Sequence, residues 1–139
     1  GLVPFEKYAN IEVIQFVKRV LMQGYLTTHV LDTARGCPAA GLKIELIRHA
    51  RDTGPIVLQT TLTNADGRTD RPILPQDAFE MGSYELIFYA GAYLQAHGLV
   101  ETATVFLDMI PIRFEMRSAD HYHVPLLLAP YGYSTYRGS

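Results

Sequence analysis

His121-Tyr-His-Val-Pro-Leu-Leu-Leu-Ala-Pro-Tyr-Gly-Tyr-Ser-Thr-Tyr-Arg-Gly-Ser139 joins two histidines to a strand-like apolar run and ends on a cation and a hydroxyl. His121 to Leu128 and Tyr131 to Tyr136 read as two strands around the Ala129-Pro130 break. Side chains alternate along a strand, so His121 and His123 share one face while Asp120 points to the other. Chain ends are ordinarily the least ordered part of a domain. An end this rich in aromatics, closing on Arg137 and Ser139, is expected to be buried in a working site.

Working back from this stretch, the same texture recurs. Tyr25 to Asp32 reads as a strand, closed by an Arg35-Gly36-Cys37-Pro38 turn. Leu42, Ile44 and Leu46 alternate with Lys43, Glu45 and Ile47 in the manner of a half-buried strand. Ile56 to Thr63 is another, ended by the strong turn signal Asn64-Ala65-Asp66-Gly67. Ser83 to Tyr89 and Ile110 to Met116 add two more, with a short helix over Gly91 to His97 before Gly98. The Val100 to Met109 connection is longer than such a pattern needs. Short strands punctuated by turns, with one internal helix, predict an all-β sandwich rather than an α/β sheet.

Residues 1–24 have a different character. Asn10 can cap a helix and Gly24 can end it in the left-handed conformation. Between them Val13, Ile14, Phe16, Val17, Val20 and Leu21 fall on one arc, with Glu12, Gln15, Lys18, Arg19 and Gln23 on the other. Glu12 near the start and Lys18 and Arg19 nearer the end suit the helix dipole. The arc is expected to pack on this domain or on a neighbouring subunit, with a membrane-surface or partner-binding helix as the alternative. The division predicted is therefore a helical extension over 1–24 and a single domain over 25–139.

At 139 residues one core is sufficient without staples. A net charge of −2 argues against a nucleic-acid partner, which would call for a basic face. No apolar run approaches the roughly 20 residues needed to cross a bilayer, so no membrane association is expected. One cysteine, Cys37, rules out an intrachain disulfide framework and a thiolate metal site. The amino-terminal residues lack the pattern of a secretory leader. A cytoplasmic location is the expectation, with peroxisome and periplasm left open.

Five histidines are available for chemistry. His49 and His97 lie at element ends and read as solvated. His29 interrupts a β run where an apolar or branched residue would be the ordinary choice, which fits a hydrogen-bonded structural role as well as a functional one. The His121/His123 pair could be a metal half-site, yet no His-x₃-His, Cys-x₂-Cys or carboxylate cluster completes it. Arg68 directly follows a turn, the usual place of a surface arginine. Arg137 stands among tyrosines, a setting that suits a planar anionic ligand. Phosphate loops, dinucleotide fingerprints and nucleophile elbows are all missing, and nothing beside Ser139 makes a Ser-His-Asp triad.

Two segments carry a family resemblance. His29-Val-Leu-Asp-Thr-Ala-Arg-Gly-Cys-Pro-Ala39 resembles the first signature of the transthyretin-like family, and Tyr122 to Thr135 resembles the second. The ending Tyr136-Arg-Gly-Ser139 resembles the family's 5-hydroxyisourate hydrolase branch rather than its thyroid-hormone carriers. The carriers have lysine in place of His29, lack the His-Tyr-His run, and continue into a different tail. The resemblance covers residues 25 to 139 and departs at Ala129, where many relatives have serine.

The resemblance implies two four-stranded sheets and a short helix, assembled as a homotetramer with its sites at the dimer–dimer interface. It implies a small-molecule substrate, 5-hydroxyisourate, and neither a metal nor an organic cofactor. His29, Arg68, His123 and Ser139 would be catalytic. Tyr136 and Arg137, together with His29 and Arg68, would bind substrate. The rival expectation is a carrier or interaction module that uses the same channel.

Overall fold

The computed structural model describes residues 10–21 and 24–139, a short helix followed by two packed four-stranded sheets. Helix α1 spans Ile11–Leu21. Asn10 caps it as expected: its Oδ1 accepts the Val13 N–H at 2.8 Å, satisfying one of the amides a helix start leaves unpaired. Of the described part of the apolar arc, Val13 is 41% and Phe16 61% exposed, while Ile14 and Val17 are half-buried. Gln23 and the side chains of Lys18, Arg19, Val20 and Leu21 lie outside the described residues. Gly24 is buried, and a β-carbon there would fall 2.4 Å from the Phe79 ring.

The strands are β1 (Tyr25–Asp32), β2 (Cys37–Pro38), β3 (Lys43–Ala50), β4 (Gly54–Leu62), β5 (Gly82–Tyr89), β6 (Met109–Met116), β7 (His121–Ala129) and β8 (Gly132–Thr135), with helix α2 (Ala90–Ala96) after β5. One sheet runs β2-β1-β7-β8 and the other β4-β3-β5-β6. Cys37 and Pro38 are therefore not turn residues: they pair with Asp32 and Leu31, and the turn lies just before them, with Gly36 at φ 71°. The long connection after α2 is tied down where Gly91 donates its N–H to the Asp108 carbonyl at 3.0 Å. A β-carbon on Gly91 would lie 2.4 Å from an Asp108 carboxylate oxygen, so only glycine permits that approach.

Alternation decides what each strand buries. In β1, Leu26, Thr28, Val30 and Asp32 point inward and are buried, while Tyr25, Thr27, His29 and Leu31 point outward. In β7, Tyr122, Val124, Leu126 and Leu128 point inward. They meet Ile44, Leu46, Tyr84, Leu86, Phe88 and Ile110 of the second sheet in one continuous core. Each such side chain contributes about 1.5–3 kcal/mol by leaving water. The buried polar groups are satisfied: Thr28 donates to the Val124 carbonyl at 2.8 Å, and Asp32 accepts from the Tyr93 hydroxyl at 2.6 Å.

β1 and β7 run parallel, unlike the other strand pairs described, with Tyr25 beside His121, Thr27 beside His123 and His29 beside Pro125. Parallel neighbours cannot be joined by a hairpin. Here the whole second sheet lies in the sequence between them. This pairing brings the two ends of the sequence pattern together.

Candidate active site

His29 and His123 occupy the outer face of the first sheet, which resolves the oddity of a histidine in the β1 run: it stands on the outward row. Their ring centroids are 6.5 Å apart. Arg68 joins them because the turn before it is drawn onto the edge of β1. His29 and Arg68 are bridge partners, and Val30 donates its N–H to the Gly67 carbonyl at 2.8 Å. Asn64 shapes the turn by accepting the Asp66 and Arg68 amides on its Oδ1 at 2.9 and 3.2 Å. Gly67 has φ +73°, and a β-carbon there would sit 2.4 Å from the Val30 carbonyl oxygen. Glycine at this one position lets Arg68 reach the sheet.

The electrostatics of the cluster favour neutral imidazoles. Burial pushes the His29 pKa below its ordinary 6.5, and the Arg68 charge pushes it further, with Asp66 pulling the other way. His123 is lowered from the same value by burial first, then by Arg68, His121 and His29. A half-buried neutral histidine can accept a proton, and an arginine nearby can supply charge for a developing anion.

Thr27 adds a connection that sequence reasoning missed. Its Oγ1 lies 2.7 Å from His121 Nε2 and 2.8 Å from His123 Nδ1, so one hydroxyl spans both rings. His121 in turn stacks on Tyr25, with centroids 4.0 Å apart and planes within 5°. The two histidines read as a metal half-site are thus tied to a shared hydroxyl. The available signal was the Thr27/His123 register, which exists only once β1 and β7 are known to be parallel.

The terminal segment reaches the site in part. Gly138 bridges His123, donating its N–H to the His123 carbonyl at 2.7 Å, and a β-carbon on it would fall 2.6 Å from the His123 ring. Ser139 follows immediately and is exposed. Tyr136 is 59% exposed, so in the single chain the terminus is not buried as its composition suggested. Arg137 is not brought to the cluster. Its guanidinium carbon lies 4.2 Å over the Tyr122 ring, on the opposite face of β7 from His123. A cleft of about 500 Å³ there is lined by Arg137, Tyr122, Val124 and Phe114, and neither His29, Arg68 nor His123 lines it. Concavity and chemistry point to different faces. The chemistry decides, because the outer face brings two histidines with lowered pKa together beside Arg68.

His49 departs from its solvated reading: its Nε2 meets Glu85 Oε1 at 2.7 Å, half-buried on the other sheet. His97 is exposed, beside Arg35 at 2.7 Å.

A transthyretin-like sandwich whose outer sheet face carries a histidine–arginine cluster defines a class of proteins to which sequence comparison also leads. Residues 26–138 match the model of the HIUase/Transthyretin family, and the chain belongs to that family. It is 57% identical over 116 residues to a 5-hydroxyisourate hydrolase of Mesorhizobium japonicum, covering 84% of this chain and 93% of that one. Among solved structures, an (S)-allantoin synthase superposes with a TM-score of 0.77 at 43% identity, over 84% of this chain but 44% of the synthase. Transthyretin from Sparus aurata gives a TM-score of 0.73 at 26% identity, covering 81% of this chain and 95% of the transthyretin. Among the described residues no helix is long and apolar enough to cross a membrane.

Proposed function

We infer that this chain hydrolyses 5-hydroxyisourate to 2-oxo-4-hydroxy-4-carboxy-5-ureidoimidazoline. The observation that carries the reading is the convergence of His29, Arg68 and His123 on one sheet face, with both imidazoles held below their ordinary pKa. The identity to enzymes of that name, about twice the identity to the carrier, supports it.

In the proposed reaction a histidine takes a proton from water as the oxygen attacks a ring carbonyl. The N1–C6 amide then opens, and the ring nitrogen leaves with a proton. Arg68 lies against the developing oxyanion, where a fixed cation lowers the barrier without reorganising. His123 or His29 activates the water. Tyr136 shares the outer face with His123 by register and would border the flat substrate. Ser139, directly after the Gly138 contact, would orient substrate or water. For Arg137 the stacking on Tyr122 supports an anchoring part: it holds the terminal segment so that Gly138 and Ser139 stay beside His123.

The outer face is open in one chain. A homotetramer with its sites at the dimer–dimer interface would close it and exclude all but the reacting water. On this reading residues 25–139 form the hydrolase domain and 1–24 a helical extension.

The test is the ultraviolet decay of 5-hydroxyisourate freshly generated from urate with uricase. Decay faster than the spontaneous rate on adding the protein is the expected result. An unchanged rate together with tight binding of an aromatic ligand would instead assign a carrier. Deleting residues 137–139 should abolish turnover while the sandwich stays folded, and an active truncated protein would remove the terminus from the mechanism.

A further inference from the structure

A hydroxyl has one proton, yet Thr27 Oγ1 is within hydrogen-bond distance of ring nitrogens of both His121 and His123. It donates to one nitrogen and accepts from the other, so the tautomers of the two rings are coupled. In one arrangement His123 Nδ1–H donates to Thr27, Thr27 donates to His121 Nε2, and His123 Nε2 carries a free lone pair. In the reverse arrangement His123 Nε2 carries the proton and cannot act as a base. The Tyr25 ring, stacked flat on His121, holds the far end of the chain in place.

We propose that Thr27 and His121 form a proton relay behind His123, setting its tautomer and carrying its Nδ1 proton away when Nε2 is protonated. The inference rests on the hydrolase reading and deepens it. As water loses a proton, an N–H bond forms at His123 Nε2. The Nδ1 proton passes to Thr27 Oγ1, whose own proton passes to His121 Nε2. His123 is left neutral with its proton on Nε2, ready to donate to the departing ring nitrogen, and the positive charge rests on His121, two register positions further from Arg68. Return of the proton along the same chain resets the site, so protons and electrons balance without a co-reactant. Thr27 and His121 are positioning residues, because neither is placed against substrate.

This location suits the task electrostatically. Tyr25, Thr27 and His29 face the pair from β1, and Arg68 and Asp66 face it from the adjoining turn. Arg71 and Asp77 border the groove next to Tyr25. A proton left on His123 would sit in the field of Arg68, His121 and His29, which disfavour it. A charge passed to His121 lies two register positions further along β7 from Arg68.

Thr27→Val keeps the branched shape and removes the hydroxyl. It should lower kcat on the order of 10²-fold, the lower end of general acid–base effects, with KM within about twofold. Thr27→Ser should restore most of the rate. His121→Phe retains the stack on Tyr25 and should lose a similar factor. The double variant should lose no more than either single one, since the residues act as a unit. Additive losses, or a Thr27→Val enzyme with wild-type kcat and an unchanged pH profile, would overturn the relay. Nitrogen-15 NMR of substrate-free protein separates this from failure of the hydrolase reading. His123 should be protonated on Nδ1 in the wild type and lose that preference in Thr27→Val. An Nε2-protonated His123 in the wild type rejects the relay even if the protein hydrolyses 5-hydroxyisourate. An inactive protein that shows the Nδ1 tautomer rejects the substrate assignment and not the relay.

Discussion

The outward faces of the two sheets carry the same residue type in opposite surroundings. On the second sheet, His49 points at Glu85 across the β3–β5 pair, and Tyr89 donates to Glu45 one strand register away. Those carboxylates give each polar group a hydrogen-bond partner on the neighbouring strand, and the result is a set of cross-strand ties. On the first sheet, His29 and His123 face Arg68 and each other, and the titratable neighbours of His123 are cationic or neutral. Only Asp66 favours an imidazolium there, at His29, and burial and Arg68 outweigh it. A histidine next to a carboxylate holds strands together, whereas a histidine next to a cation is kept ready to accept a proton.

The sharpest way to break this contrast is to delete the imidazoles one at a time. His29→Ala or His123→Ala should lower turnover on the order of 10²-fold or more, while His49→Ala leaves turnover unchanged and affects stability only. Equal turnover losses at all three positions, read in the ultraviolet assay, would abolish the distinction between the faces. Gly138→Ala is expected to come next. Its new methyl would fall 2.6 Å from the His123 ring, forcing the ring to move, and about a tenfold loss of kcat should accompany an almost unchanged melting temperature, since roughly 1 Å of misplacement costs up to about 10² in rate.

The pH dependence tests the electrostatic half of the comparison. Because both site histidines are depressed from 6.5, base activity should persist as pH falls through 6.5 and decline only in more acid solution. Stability has the same sign. The unfolded chain binds protons at the ordinary value, so this contribution is full above 6.5 and is lost as pH falls below it toward the folded values. In Arg68→Met the histidine titrations, followed by NMR without substrate, should move upward. Unmoved titrations would show that the arginine does not set them. Arg137→Met should have the smallest effect on stability. It removes one partly exposed cation–π contact, with a cost of about 0.5–1 kcal/mol in chemical denaturation, and a larger loss would mean that Arg137 holds more than Tyr122.

Much of the site is legible in the residues themselves. The strand limits around His29 and His123, the turn before Arg68 and the cap at Asn10 all follow from local chemistry that acts within a few residues. The missed features depend on distant partners. Cys37 and Pro38 look like turn residues until β1 offers them a ladder, and His49 looks solvated until β5 brings Glu85 alongside. The stacking of Arg137 on Tyr122 likewise follows only from the strand register.

By itself, then, the sequence determined the class of fold, the alternation that keeps His29 and His123 out of the core, and the family signatures at its two ends. Those properties are periodic or contiguous, and the chain carries them wherever it goes. The tertiary structure decided which groups meet. Parallel pairing of β1 with β7 set Thr27 between two histidines, and the bare Cα of Gly67 allowed Arg68 to reach the edge of β1. Contacts between residues some 40 to 96 positions apart, from His29 to Arg68 and from Thr27 to His123, are set by packing of the whole sandwich, and no local pattern encodes them.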